Sequence, residues 1–94
     1  MPSSIRKRYY LGDSYPGIYF LWREAQCSAY LLKGLKTVKI SEILKRSERT
    51  IEFYLLVAQR KLGCNSKKEL IQMLQESDFI HYLGELVMDE LPSS

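Results

Sequence analysis

The sequence predicts an all-α domain with an N-terminal arm and an extra C-terminal helix. Three observations carry that prediction. Apolar residues recur at i, i+3, i+4 spacing in successive stretches from Trp22 onward. Glycine stops and serine caps separate those stretches. No stretch alternates apolar and polar residues for any length, which argues against a sheet protein. The chain divides into an arm over 1–19, a helical domain over 20–75, and a C-terminal helix with an acidic tail over 76–94.

Each element has its own signal. In the arm, Pro2, Gly12, Pro16 and Gly17 punctuate too often for a long regular element, and one short strand or turn is expected among Tyr9, Tyr10, Tyr15 and Tyr19. Arg6, Lys7 and Arg8 make it cationic. A first helix starts at Trp22, buries Cys27, Tyr30 and Leu31, and stops at Gly34. A short second helix over about 37–45 carries Ile40, Ile43 and Leu44. Ser47 caps a third, whose Ile51, Leu55, Ala58 and Leu62 face inward before Gly63 ends it. Ser66 caps a fourth, with Leu70, Ile71 and Leu74 as its apolar positions. Ser77 or Asp78 starts a fifth, with Phe79, Ile80, Leu83, Leu86, Val87 and Leu91; that stripe is wide enough to dock on the fourth.

Composition bounds the function. The chain has 94 residues, one domain's worth, with 46% hydrophobic and 27% charged residues, the balance of a folded protein. No apolar run approaches the roughly 18 residues of a membrane span, and no apolar segment follows the basic start, so a reduced, cytoplasmic protein is expected. Cys27 and Cys64 lie far apart, and with His81 the sole histidine the sequence offers no metal site and calls for no cofactor. Paired carboxylates, a Ser/His/Asp or Cys/His set and a phosphate loop are all missing, so an enzyme is not expected. Charge is segregated: residues 1–74 hold all 14 Lys and Arg against six acids, a balance of +8, whereas 75–94 hold five acids and no base. A basic body suits a polyanion partner.

The second and third helices are joined by Lys45-Arg46-Ser47 alone, the helix-turn-helix arrangement in which the second member lies in the major groove of DNA. The residues around that pair resemble the LuxR/FixJ-type (GerE-like) DNA-binding domain. Arg23-Glu24 open the first helix and Gly34 closes it; Ile40, Ser41 and Leu44 stand where that family has Ile-Ala-x-x-Leu. Ser47, Thr50 and Ile51 match Ser-x-x-Thr-Val, and Lys61-Leu62-Gly63 match Lys-Leu-Gly. The resemblance covers about residues 20–74 and implies a four-helix domain that regulates transcription, binds double-stranded DNA and pairs as a homodimer through the fourth helix, at Leu70, Ile71 and Leu74. With few residues before Phe20, the usual sensory domain is not expected, and control would come from expression level, a partner or oligomerisation.

The sequence departs from the family at places that matter. Leu21 replaces a Thr cap, Ser28 a large core residue, Lys39 an acid and Tyr54 a histidine; Val57 stands where an Asn is common. Projected at about 100° per residue, Arg49, Phe53, Leu56 and Arg60 fall opposite the inward face, with Val57 beside them. The resemblance implies DNA contacts at Lys45, Arg46, Ser47, Arg49, Thr50, Phe53, Tyr54, Val57, Arg60 and Lys61, with Arg49 and Lys61 the first choices for phosphate. Phe53, Leu56 and Val57 can only touch thymine methyls, and Glu52 repels phosphate. The alternative is a protein-interaction module on a helix-turn-helix scaffold, with a protein partner at Phe53, Leu56 and Val57.

Overall fold

The structure, a computed structural model, describes residues 7–87. Two short strands, β1 (Tyr9–Tyr10) and β2 (Tyr19–Phe20), pair antiparallel with Tyr9 opposite Phe20. Four helices follow: α1 (Trp22–Leu32), α2 (Thr37–Leu44), α3 (Glu48–Leu62) and α4 (Lys67–Gln75). A 3-10 helix (Asp78–Tyr82) then runs into the single turn of α5 (Leu83–Leu86).

Capping chemistry sets the boundaries. Ser47 and Ser66 sit in extended backbone, and their hydroxyls accept from the amides of Thr50 and Glu69, each at 3.1 Å. Leu21 has no oxygen to offer, so α1 begins from the other side: Glu24 accepts from the Leu21 amide at 3.1 Å, the half of a capping box that needs no hydroxyl. Gly63 ends α3 in the left-handed region. Lys45 ends α2 there too, at φ 58°, a conformation that costs a non-glycine residue about 1 kcal/mol. This reversal brings the Arg46 amide to the Ser41 carbonyl at 3.1 Å and turns the chain into α3 within three residues.

α1 is the central element, buried without a break from Ala25 to Leu31. It packs on α3, α4, β2 and α5 at once. The predicted inward faces are where the periodicity puts them: Cys27, Tyr30, Ile40, Ile51, Leu55, Ala58 and Leu62 are all buried. The Ser28 hydroxyl is buried and has no hydrogen-bond partner among the described residues.

The two ends differ from the sequence reading. Over residues 7–19 the expected arm holds the short strand β1 and packs into the domain. Tyr9 and Leu11 are buried in the core with Phe20, and β2 runs across the boundary expected between arm and domain. The C-terminal segment is not one helix. The Asp78 amide donates to the Leu11 carbonyl at 3.0 Å, which tightens the chain into a 3-10 turn and sends Phe79 inward, edge-on to Phe20 at 5.5 Å. Of the stripe expected to dock on the fourth helix, Phe79 is buried on the 3-10 helix that packs on α4, Leu83 and Val87 are half-buried and Ile80 points outward; Leu86 is buried on α5, which packs on α1, and Leu91 and Arg6 lie outside the described residues. A Cβ on Gly12 would come within 2.5 Å of the Asp78 carboxylate, so the hairpin and the 3-10 helix fit only with glycine there. At the rim, Lys7 pairs with Glu85 at 2.7 Å and lies over the rings of Tyr9 and Tyr82; the hydrogen bond to Glu85 raises the Lys7 pKa. Among the described residues no helix is long and apolar enough to cross a membrane.

Candidate nucleic-acid interface

The site is built on α3 and the turn before it. The side chains of α3 divide into four rows. Ile51, Leu55, Ala58 and Leu62 form the buried row. Arg49, Phe53, Leu56 and Arg60 form the opposite row and are all exposed, Phe53 at 60% and Leu56 at 43%. On one flank lie Glu48 and Glu52, and Glu52 meets α4, where Lys67 binds it at 2.9 Å. On the other flank, Thr50, Tyr54, Val57 and Lys61 are half-buried, with Tyr54 and Lys61 turned toward α1 and the hairpin.

Lys45, Arg46 and Arg49 are exposed around the first turn of α3, and none of them, nor Arg60, takes part in an ion pair among the described residues. The opening amides of α3 add positive potential at the same end. Ser47 and Thr50 are tied to each other, hydroxyl to hydroxyl at 3.0 Å, and the Ser47 hydroxyl also caps the helix. Glu52 is neutralised by Lys67, so its repulsion of a polyanion is smaller than its formal charge suggests.

Lys61 is placed differently from the expectation. Its ammonium donates to Glu24 at 2.6 Å and to the Tyr19 carbonyl at 3.0 Å, and it lies over the Tyr19 and Phe20 rings. It is a structural cation joining the end of α3 to the start of α1 and the hairpin, and it does not face outward as a phosphate contact would. Tyr54 is half-buried with its ring 6.1 Å from that of Phe53, at the edge of the exposed row.

Beside that flank lies a cleft of about 490 Å³, walled by Arg8 and Tyr19 from the hairpin, Leu21 to Glu24 from the start of α1, and Tyr54 from α3. It brings two further arginines next to α3. Arg8 stacks over the Tyr19 ring at 4.7 Å, and Arg23 donates to Gln26 at 2.8 Å; neither meets a carboxylate within ion-pair distance among the described residues. The sequence reading missed these two as neighbours of α3. No periodic signal links them to Tyr54, because only the hairpin's docking brings them there.

The expected pairing residues of α4 also need correcting. Leu70 and Leu74 are fully buried in the protein's own core, and Ile71 alone of the three is partly exposed. The outer row of α4 is Lys68, Gln72 and Gln75. Among the described residues no group of three or more His, Cys, Asp or Glu could hold a metal ion.

Comparison with known proteins agrees with this architecture. The family described as bacterial regulatory proteins, luxR family, matches residues 22–74, which run from the start of α1 to the penultimate residue of α4. The chain is 34% identical over 62 residues to the transcriptional activator protein VanR of Vibrio anguillarum. That stretch is 66% of this chain and 26% of VanR, so the chain corresponds to about a quarter of the length of that relative. No solved structure matches the chain. The family match covers more than half of the sequence and spans the four helices that form the α2–α3 pair and its support, so the chain belongs to the luxR family of bacterial regulatory proteins.

Proposed function

We propose that this chain is a DNA-binding transcription regulator that inserts α3 into the major groove. The observation that carries this reading is the cluster of Lys45, Arg46 and Arg49, exposed and unpaired among the described residues at the N-terminal turn of α3, on a connection tight enough to hold α2 and α3 as one rigid unit. Cations there contact phosphates on either side of a groove that receives the helix. Arg8 and Arg23 widen the cationic surface beside Tyr54. The family supports the same reading, and work on a bacterial chromosome would put the protein in the cytoplasm.

Pairing of two copies through α4 would bring together Ile71 and the polar row Lys68, Gln72 and Gln75, with Leu70 and Leu74 held in each copy's own core. So polar a surface favours a homodimer that assembles on the duplex over one that exists beforehand. Sedimentation with and without DNA distinguishes the two.

The deciding experiment is a titration of duplex binding against salt. A fall in log affinity that is steep and linear in log salt is expected, because each neutralised phosphate releases its counterion. Absence of duplex binding at low salt overturns the reading. A second reading, a protein-interaction module, is favoured by the exposure of Phe53 and Leu56 and predicts that absence.

A further inference from the structure

We propose that α3 reads its DNA through thymine methyl groups, which makes A·T-rich duplex its preferred target; this rests on the DNA-binding reading above. The outward row of α3 is Arg49, Phe53, Leu56, Arg60: two apolar side chains in the middle and one arginine at each end. At 1.5 Å per residue the two arginines are about 16 Å apart along the axis. Phe53 and Leu56 fill the space between them and are the most accessible large apolar residues on the helix. This row has no hydrogen-bond donor or acceptor for a base edge between its arginines. In the major groove the feature that rewards an apolar side chain is the C5 methyl of thymine.

The charges decide what kind of surface this row meets. Neither arginine is paired with a carboxylate among the described residues, and the acids of α3 lie on the flank, where Lys67 holds Glu52. An apolar strip closed at both ends by free cations complements apolar methyl groups flanked by phosphates. The arginines would fix the helix on the backbone, and Phe53 and Leu56 would choose the sequence.

The test compares the full chain on two duplexes, poly(dA-dT) and poly(dA-dU), at one low salt concentration. Uracil differs from thymine only by lacking the methyl group. Affinity for the thymine duplex is expected to exceed that for the uracil duplex by at least about fourfold, the factor that corresponds to ~0.8 kcal/mol for one buried carbon. The double variant Phe53→Ala, Leu56→Ala should bring the two affinities within about twofold, with melting temperature unchanged because both residues are exposed. Arg49→Ala should weaken both duplexes alike. Equal affinities in the original chain, or a preference that survives the double variant, overturn methyl reading and leave DNA binding standing. Failure to bind either duplex overturns DNA binding and methyl reading together.

Discussion

Lys61, one residue from the end of α3, lies 2.6 Å from the carboxylate of Glu24 in the first turn of α1, and both side chains are largely buried. The carboxylate is shared: it also holds the Leu21 amide that starts α1. One acid therefore caps the central helix and anchors the C-terminal end of α3. That bond orients α3 relative to the rest of the domain. The family resemblance implies a phosphate contact at Lys61, and the fold makes it a strut.

Lys61 and Arg49 should consequently behave as opposites. Lys61→Ala leaves the largely buried Glu24 carboxylate without its cation and should cost about 1–3 kcal/mol of stability, with the slope of log affinity against log salt unchanged. Arg49→Ala should leave the melting temperature in place and reduce that slope by about one. Thermal melts and salt titrations of the two variants check this; a lowered slope for Lys61→Ala would mean that its ammonium leaves Glu24 for DNA.

The division of α3 into rows predicts a second contrast. Leu56→Asp should keep helicity and change stability by no more than about 0.5 kcal/mol, because the side chain faces solvent. Ile51→Asp puts a carboxylate in the core and should unfold the domain. Far-UV circular dichroism of both variants is sufficient. Equal loss of helicity would show that the outward row is packed.

Beyond the family segment, the hairpin and the 3-10 helix are expected to be part of the folding unit. Phe79→Ala removes a fully buried ring that meets Phe20 edge-on, and should cost about 3–5 kcal/mol. Truncation after Gln75 should cost more, since Leu86 leaves as well. Calorimetry measures both. A truncated chain as stable as the full one, with tighter and salt-sensitive DNA binding, would instead make residues 76–94 an acidic competitor for the DNA site.

Cys27 sets a limit on the alkaline side. It is fully buried beside α3, and loss of hydration pushes its pKa up to about 12 from an ordinary value of 9.0, with Arg23 pulling slightly the other way. A thiol held neutral by the fold contributes stability that is fully present below the unfolded pKa and is lost as pH rises from about 9 toward 12. Urea midpoints across that window should fall for the original chain and fall less for Cys27→Ala. The same burial should keep Cys27 unreactive toward thiol reagents until the protein unfolds.

Ser28 offers a gain. Its buried hydroxyl has no partner among the described residues, so Ser28→Ala should raise stability by about 1 kcal/mol, measurable as a higher urea midpoint. A lower midpoint would reveal a hydrogen bond made in solution.

The sequence alone determined the four family helices and the direction in which three of them face. Serine caps before Glu48 and Lys67, the glycine after Leu62 and the i, i+3, i+4 stripes are local signals, decided by backbone hydrogen bonding and helix periodicity within a few residues. The exposed row Arg49, Phe53, Leu56, Arg60 was legible for the same reason. What the tertiary structure decided is everything that depends on which residues meet across the fold. Lys61 and Glu24 stand 37 positions apart, and no periodicity couples them. Residues 7–20 carry Gly12, Pro16 and Gly17, which signal only breaks in regular structure, yet Tyr9, Leu11 and Phe20 are buried against α1 and the 3-10 helix. Leu70 and Leu74 have the spacing of an apolar stripe, and spacing states that a stripe will be covered without saying by what. Here the protein's own core covers them, because a domain this small buries the apolar surface nearest to hand before it offers any to a partner.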